Sequence, residues 1–384
     1  MTDAQHSRPS PRFSWFVPID GDGDRIGSLR AQRPPSFAYL RDVVLNAERL
    51  GYHSLLIPTR FSNGSFDQAA PLAETWTVAT ALAAASSQIR LLIAVRPGFA
   101  SAGLFAQQAA TLHEISDGRI DINIVPGGIQ GDNERIGAAL PHDDRYAQAD
   151  EFIDACSRLW QSDGPLDFDG KTVNLRGALC SPQPSPPPQW YLGGASDAAL
   201  TLAAERADVL LCWIQPLEAM SALLERGRAA FARAGRRPRF GLRTHLVVRE
   251  TEAAAWQEAD ALLSEAHPQV MAQRAAAVRS TAMVGAAAQA RRVEDDRLSE
   301  RLWNGISRVR VNLGTAIVGT PDQAAAELRR YWQLGFDEFI LSGYPHLEEA
   351  ERIARDVIPL VRSDPPLSLR DISPRSTGGE KGTD

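Results

Sequence analysis

The chain has 384 residues, 44% of them hydrophobic, which is enough for a large buried core and for either two domains or one α/β barrel. Its net charge of −6 is mild for that size and argues against a nucleic-acid surface or a membrane-binding patch. Of the 41 basic residues only Lys171 and Lys381 are lysine, so an arginine gains meaning only from its setting. Cys156, Cys180 and Cys212 are odd in number and widely spaced, which indicates neither a disulfide framework nor a zinc site. No apolar run reaches the roughly 18 residues of a membrane-spanning helix, and the N-terminus lacks the apolar stretch of a signal peptide. The default is a soluble protein of a reducing compartment, the cytoplasm.

Residues 1–11 and 363–384, rich in Pro, Ser, Gly and charge, read as frayed tails around one domain over 12–362. Within it, strand-like runs alternate with helical periodicity. The strands are "SWFVPI", "HSLLIP", "IRLLIAV", "RIDINIV", "WYLGG", "DVLLCW", "RFGLRTHLVV" and "DEFILS". Gly51, Gly118 and Gly335 stand where helices should end and the next strand begin. Eight strands in this rhythm favour a closed (β/α)8 TIM barrel, with an open doubly wound sheet as the alternative. "SPQPSPPPQ" (181–189) reads as a rigid loop entering the barrel. Residues 267–310 are too long for an ordinary connection and read as a mobile lid.

In such a barrel the functional face lies at the C-terminal strand ends. "GGASDAAL" places Gly194, Ala195 and Ser196 at a helix start whose free N–H groups suit a phosphate, or where Ser196 is a plain cap. On the seventh strand, side-chain alternation puts Arg243, His245 and Val247 on the lumen face and Leu242, Thr244 and Leu246 against the helices. A guanidinium and an imidazole pointing inward are either an internal polar pair or an anion-binding pair. Trp213, at the preceding strand's end, is either an apolar wall beside them or a core tryptophan. Arg310 is a candidate second clamp between lid and barrel. The corner "SGYPHLEE" carries Tyr344 and His346, two rings that a plain turn does not require. Metalloprotease, Walker and serine-hydrolase motifs are missing, so no metal is expected.

Assembled, these residues resemble the bacterial-luciferase-superfamily flavin monooxygenases, and among them the alkanesulfonate monooxygenases with sulfoquinovose monooxygenase as a close relative. The similarity runs from Phe13 to Leu360 through "AERLGY", "LLIPT", "AVRPG", "QQAATL", "DGRIDINIV", "YLGGASD", "FGLRTHLVVRET", "GTAIVG" and "LSGYPHLEEA". The resemblance implies the TIM barrel. It implies reduced FMN with O2 as co-substrate, a separate NAD(P)H-dependent flavin reductase and a dimeric or tetrameric assembly. It also implies that Trp213, Arg243, His245, Arg310 and Tyr344 surround the substrate's oxyanion, with His346 nearby. The flavin ring would cross Pro58, Val95 and Val125, with its phosphate near Tyr146, Gly194, Ala195 and Ser196. The reaction implied is cleavage of an organosulfonate to sulfite and a carbonyl product. A deazaflavin-dependent dehydrogenase and a non-catalytic flavin-binding protein are the alternatives.

Two departures from the family pattern concern the pocket wall. "IDGDG" carries Asp20 where the family has histidine, and the loop after "LIPT" is longer and lacks the family's cysteine. A buried Asp20 would need partners, and the hydroxyls of a sugar sulfonate would provide them.

Overall fold

A computed structural model describes residues 9–127, 130–137, 142–279, 296–310 and 314–363. The expected tails at 1–8 and 364–384 and the middle of the expected lid, 280–295, lie outside the described residues. The first half runs β1 (Arg12–Phe16), α1 (Phe37–Arg49), β2 (Ser54–Ile57), α2 (Thr75–Ala85), β3 (Arg90–Val95), α3 (Ala102–Ile115), β4 (Ile120–Ile124), α4 (Gln130–Arg135) and α5 (His142–Leu159). The second half begins with a hairpin, β5 (Leu166–Asp169) and β6 (Asn174–Ala178), which the sequence reading did not foresee. There follow β7 (Trp190–Gly193), α6 (Asp197–Arg206), β8 (Val209–Trp213), α7 (Leu217–Arg233), β9 (Arg239–Val248), α8 (Glu252–Leu262) and α9 (Pro268–Arg279). Last come β10 (Leu302–Trp303), β11 (Ala316–Gly319), α10 (Pro321–Leu334), β12 (Glu338–Ser342), α11 (His346–Asp356) and α12 (Ile358–Ser363).

Parallel pairing runs β12–β1–β2–β3–β4–β7–β8–β9, and β9 returns to β12, so eight strands close the TIM barrel that the alternation implied. The expected punctuation is present: Gly51, Gly118 and Gly335 all take positive φ directly after helices. Side chains on alternate positions face helices or lumen. Leu242 and Leu246 pack in the helix-backed core, as read.

The lumen is layered. At its base Ser14 Oγ and Tyr191 Oη donate to the buried Glu338 carboxylate at 2.8 and 2.9 Å. Above lies an apolar plug of Phe16, Leu56, Leu92, Tyr191, Val209, Leu211 and Ile340. The plug seals the barrel axis and supports whatever stands at the rim. Strand β9 has ten residues, long enough to serve two partners in succession on the edge away from β12. Its lower half pairs with β8 up to Trp213 opposite Arg243, and its upper half pairs with β11 from Ala316 opposite His245. Arg243 thus stands on the plug, and His245 is one lumen-facing position higher.

Ile340 is fully buried in the plug, so Ile340→Ala should open a cavity and lower unfolding free energy by about 2–5 kcal/mol, read from urea denaturation.

Candidate active site

Six of the residues singled out from sequence gather at the rim of β8, β9 and β12. The Arg243 guanidinium carbon sits 4.5 Å from the Phe16 ring centroid and 5.2 Å from that of Trp213. Arg310 approaches the same rings, at 5.0 and 6.0 Å. Two guanidiniums therefore share one aromatic floor. His245 stacks on Tyr344 with centroids 5.7 Å apart, and Tyr344 meets His346 edge-on at 4.9 Å. The corner after β12 places both rings: Gly343 lies against Glu349, where a Cβ would be 2.7 Å from that side chain's Cβ.

Hydrogen bonds orient the imidazoles. Arg243 Nη2 donates to Ser342 Oγ at 2.8 Å, and Ser342 Oγ lies 2.6 Å from His245 Nδ1. With its oxygen already accepting from arginine, the serine hydroxyl satisfies all three groups by donating to Nδ1. That assignment puts the imidazole proton on Nε2, which has no hydrogen-bond partner among the described residues. His346 is held differently: its backbone N–H donates to Asp22 Oδ2 at 2.6 Å, and its Nδ1 lies 3.0 Å from Asp22 Oδ1. Tyr39 Oη also donates to Asp22. His346 Nε2 is left without a partner among the described residues.

The charges are unbalanced. Neither Arg243 nor Arg310 has a carboxylate within ion-pair distance among the described residues, and both are buried. Burial first, and then Arg310, push the Arg243 guanidinium well below the usual arginine range. Arginine stays protonated in proteins, so the Arg243 charge is held against both burial and the neighbouring charge of Arg310. Burial, followed by Arg243 and Arg310, holds His245 well below the usual histidine range and therefore neutral. The nearby arginines that do have counter-ions are Arg60, paired with Asp20 at 3.1 Å, and Arg96, 3.8 Å from Asp132. Burial pushes Arg96 down to about 10.

Asp20 finds partners inside the chain: besides Arg60, it accepts from Gly64 N at 3.3 Å and Ser65 Oγ at 3.2 Å. The long loop after β2 folds back to supply these groups. Asp20 also borders a surface cavity of about 670 Å³ walled by Leu29, Ala31, Pro35, Ala70 and Pro71. The described ends of the 267–310 segment are also held, not free. Arg274 on α9 donates to Val309 O at 2.9 Å and Asn63 O at 3.1 Å, and Gln269 bonds Asp67.

Across the rim, β3, β4 and β7 carry small or polar groups. Val95 packs outward into the core, and the residues on the lumen face there are Ala94 and Asn123, opposite each other in register. Asn123 is buried with no partner for Oδ1 among the described residues. The Pro58 and Val95 carbonyls are already bonded, to Thr75 Oγ1 and Val125 N. Ser196 caps α6, accepting from Ala199 N at 3.2 Å. A Cβ on Gly194 would lie 2.4 Å from that of Ala199 and 3.8 Å from Tyr146 Oη, so only glycine leaves this cradle open. A flat ring with an N–H facing Asn123, and a phosphate at the α6 N-terminus beside Tyr146, fit these features. Sequence reasoning gave no role to Phe16, Asp22, Arg60, Asn123 or Ser342. Arg60 and Ser342 were open to view, at the strand ends "PTR" and "SGY"; the others signal nothing until the barrel closes. Among the described residues no metal-binding cluster occurs, and no helix is long and apolar enough to cross a membrane.

Because the folded His245 resists protonation, the unfolded chain, with an ordinary value of about 6.5, binds one more proton at low pH. Stability should be full above that value and fall as pH drops below it, by up to about 1.4 kcal/mol per pH unit. Thermal unfolding from pH 7 to 5 should show a smaller loss in His245→Asn than in the native chain.

Comparison with known proteins places this geometry. The chain is similar over 92% of its length to the crystal structure of riboflavin lyase (RcaE) with modified FMN and riboflavin, at 19% identity, TM-score 0.78 and 92% coverage of that chain. It is similar to the EDTA monooxygenase EmoA from Chelativorans sp. BNC1, at 21% identity, TM-score 0.73 and coverage of 92% and 94%. An F420-dependent secondary alcohol dehydrogenase shares the fold at 16% identity, TM-score 0.68 and coverage of 92% and 100%. At these identities the likeness is one of fold. The family model "Luciferase-like monooxygenase" matches residues 12–338, and the chain belongs to the luciferase-like monooxygenase family.

Proposed function

We propose that this protein is a reduced-FMN-dependent monooxygenase that uses O2 to cleave the C–S bond of an organosulfonate, with a separate NAD(P)H-dependent flavin reductase as its partner. The observation that carries this reading is the pair Arg243 and Arg310, buried on one aromatic floor without a carboxylate among the described residues. A sulfonate is a compact acceptor with three oxygens. It would take the donors that have no partner among the described residues, Arg243 Nε, Arg310 Nε and Nη1, and His245 Nε2–H, which are otherwise desolvated.

FMN is supported by family membership, by a structural neighbour solved with modified FMN, and by the fit of Ala94, Asn123, Gly194, Ser196 and Tyr146. When bound, the reduced flavin supplies the two electrons that activate oxygen. For a primary sulfonate one oxygen atom enters the aldehyde, the other leaves as water, and the sulfonate departs as sulfite. Charge concentrates on the sulfur oxygens as the C–S bond breaks, where Arg243, Arg310 and His245 Nε2–H stabilise it. The carbon losing sulfur also loses a proton, and His346 Nε2, steadied through Nδ1 by Asp22, is the acceptor we assign. Phe16, Trp213 and Tyr344 wall the site against water.

Anaerobic titration followed by sulfite assay tests the reading. The purified protein should be colourless and bind reduced FMN roughly tenfold or more tighter than FMN, because the unneutralised arginines favour the anionic reduced form. Sulfite should appear on adding oxygen and a sulfonate. Arg310→Ala should lower kcat/KM about a hundredfold or more while the circular dichroism of the barrel persists. Deazaflavin binding without FMN binding would overturn the assignment.

A further inference from the structure

Beside the clamp stands a second buried charged group whose partners are only half accounted for. Arg60 follows β2, and its side chain is 2% exposed against 3% for Asp20, with Nε 3.1 Å from Asp20 Oδ2. Asp20 is engaged by Gly64 N and Ser65 Oγ as well. Arg60 is not matched in this way: Nε and Nη1 make no aligned hydrogen bond among the described residues. A guanidinium removed from water with donors left over costs stability that a plain structural ion pair would not need to give up.

The surrounding loop is built to hold that head group in place. The Asn63 carboxamide donates to Asp20 O at 2.7 Å and Pro71 O at 2.9 Å, and its Oδ1 accepts from Ser65 N and Phe66 N. Gly64 leaves space for the guanidinium: a Cβ there would lie 2.3 Å from Nη1 and 2.7 Å from Cζ of Arg60. Arg274 braces the loop from α9 through Asn63 O. Asp20 follows β1, the strand that carries Phe16, and Arg60 follows β2, so the pair stands at the same C-terminal strand ends as the clamp.

We infer that the Arg60–Asp20 pair is a second, specificity-determining contact of the same site, one that receives a hydroxyl of a hydroxylated sulfonate. The inference rests on the reading that Arg243 and Arg310 hold the sulfonate. The chemistry of the pair selects the group. Asp20 cancels the charge of Arg60 locally, so a second anion would meet a carboxylate at close range. A hydroxyl donates and accepts at once, matching a carboxylate oxygen set beside unused N–H donors. An alkyl tail offers neither and leaves both nitrogens unsatisfied.

The test compares sulfite release from 6-deoxy-6-sulfoglucose and hexane-1-sulfonate by the intact protein with a flavin reductase and NADH. The native enzyme should favour the sugar sulfonate in kcat/KM by roughly tenfold or more. Arg60→Met should shrink that ratio by roughly tenfold, chiefly through KM for the sugar. Gly64→Ala keeps the charge but displaces the flexible head group, and should shrink the ratio in the same direction, so the test survives if Arg60→Met does not fold. A native preference for hexane-1-sulfonate, a ratio unmoved by either variant, or an equal loss on both substrates would overturn the second contact while sparing the sulfonate reading. No sulfite from either substrate with the native enzyme would overturn the sulfonate reading and this contact with it.

Discussion

The site depends on one constraint: two guanidinium groups, Arg243 and Arg310, are kept out of water above a ring of Phe16 and are given no counter-ion by the described chain. Buried cations normally find a carboxylate, because desolvation is expensive and only a nearby opposite charge offsets it. Here the offset comes from weaker sources. The faces of Phe16 and Trp213 give cation–π attraction, and carbonyl and hydroxyl oxygens of Thr244 and Ser342 accept from Arg243. That arrangement holds the charges in place without neutralising them, which is what an anion site requires. His245 is subordinate to it: burial first, and then the same positive field, keep the imidazole neutral and leave Nε2–H as a donor.

The barrel makes this tolerable through its layering. A polar base around Glu338 and an apolar plug around Ile340 close the lumen from below, so the arginines meet an aromatic surface rather than a water-filled channel. Strand β9 then exceeds the barrel wall. Its upper half leaves β8 and is taken over by β11, with His245 N donating to Thr315 O at 3.1 Å. With β12 on one edge and β11 on the other, the strand is paired on both sides where it carries His245.

Compensated and uncompensated arginines divide the rim. Arg60 and Arg96 have Asp20 and Asp132, while Arg243 and Arg310 have none among the described residues. Positive charge without a counter-ion therefore gathers at the end of β9, while the opposite half presents Ala94, Asn123 and the Gly194 cradle. A ligand with one compact anionic end is directed by such a field before any shape is read.

How far the sequence speaks can be judged from particular residues. Period-two alternation in "GLRTHLVV" sent Arg243 and His245 inward because a strand's geometry is local, and the alternating strands and helices with glycines at helix ends implied the barrel for the same reason. The corner with Tyr344 and His346 stood out by composition. What could not be read depends on which distant segments meet. Asp20 looked like a carboxylate in need of a substrate, yet a loop some forty residues on supplies Arg60, Gly64 and Ser65 to it. Val95 looked like a flavin seat, yet alternation along its own strand sends it outward with Leu91 and Ile93, and only pairing with β4 sets Asn123 beside Ala94 on the lumen face. Local periodicity determines which way a side chain leaves its own strand. Only closure of the barrel decides what it meets there, because hydrogen bonds and ion pairs between residues far apart in the chain exist only once β12 has paired with both β1 and β9.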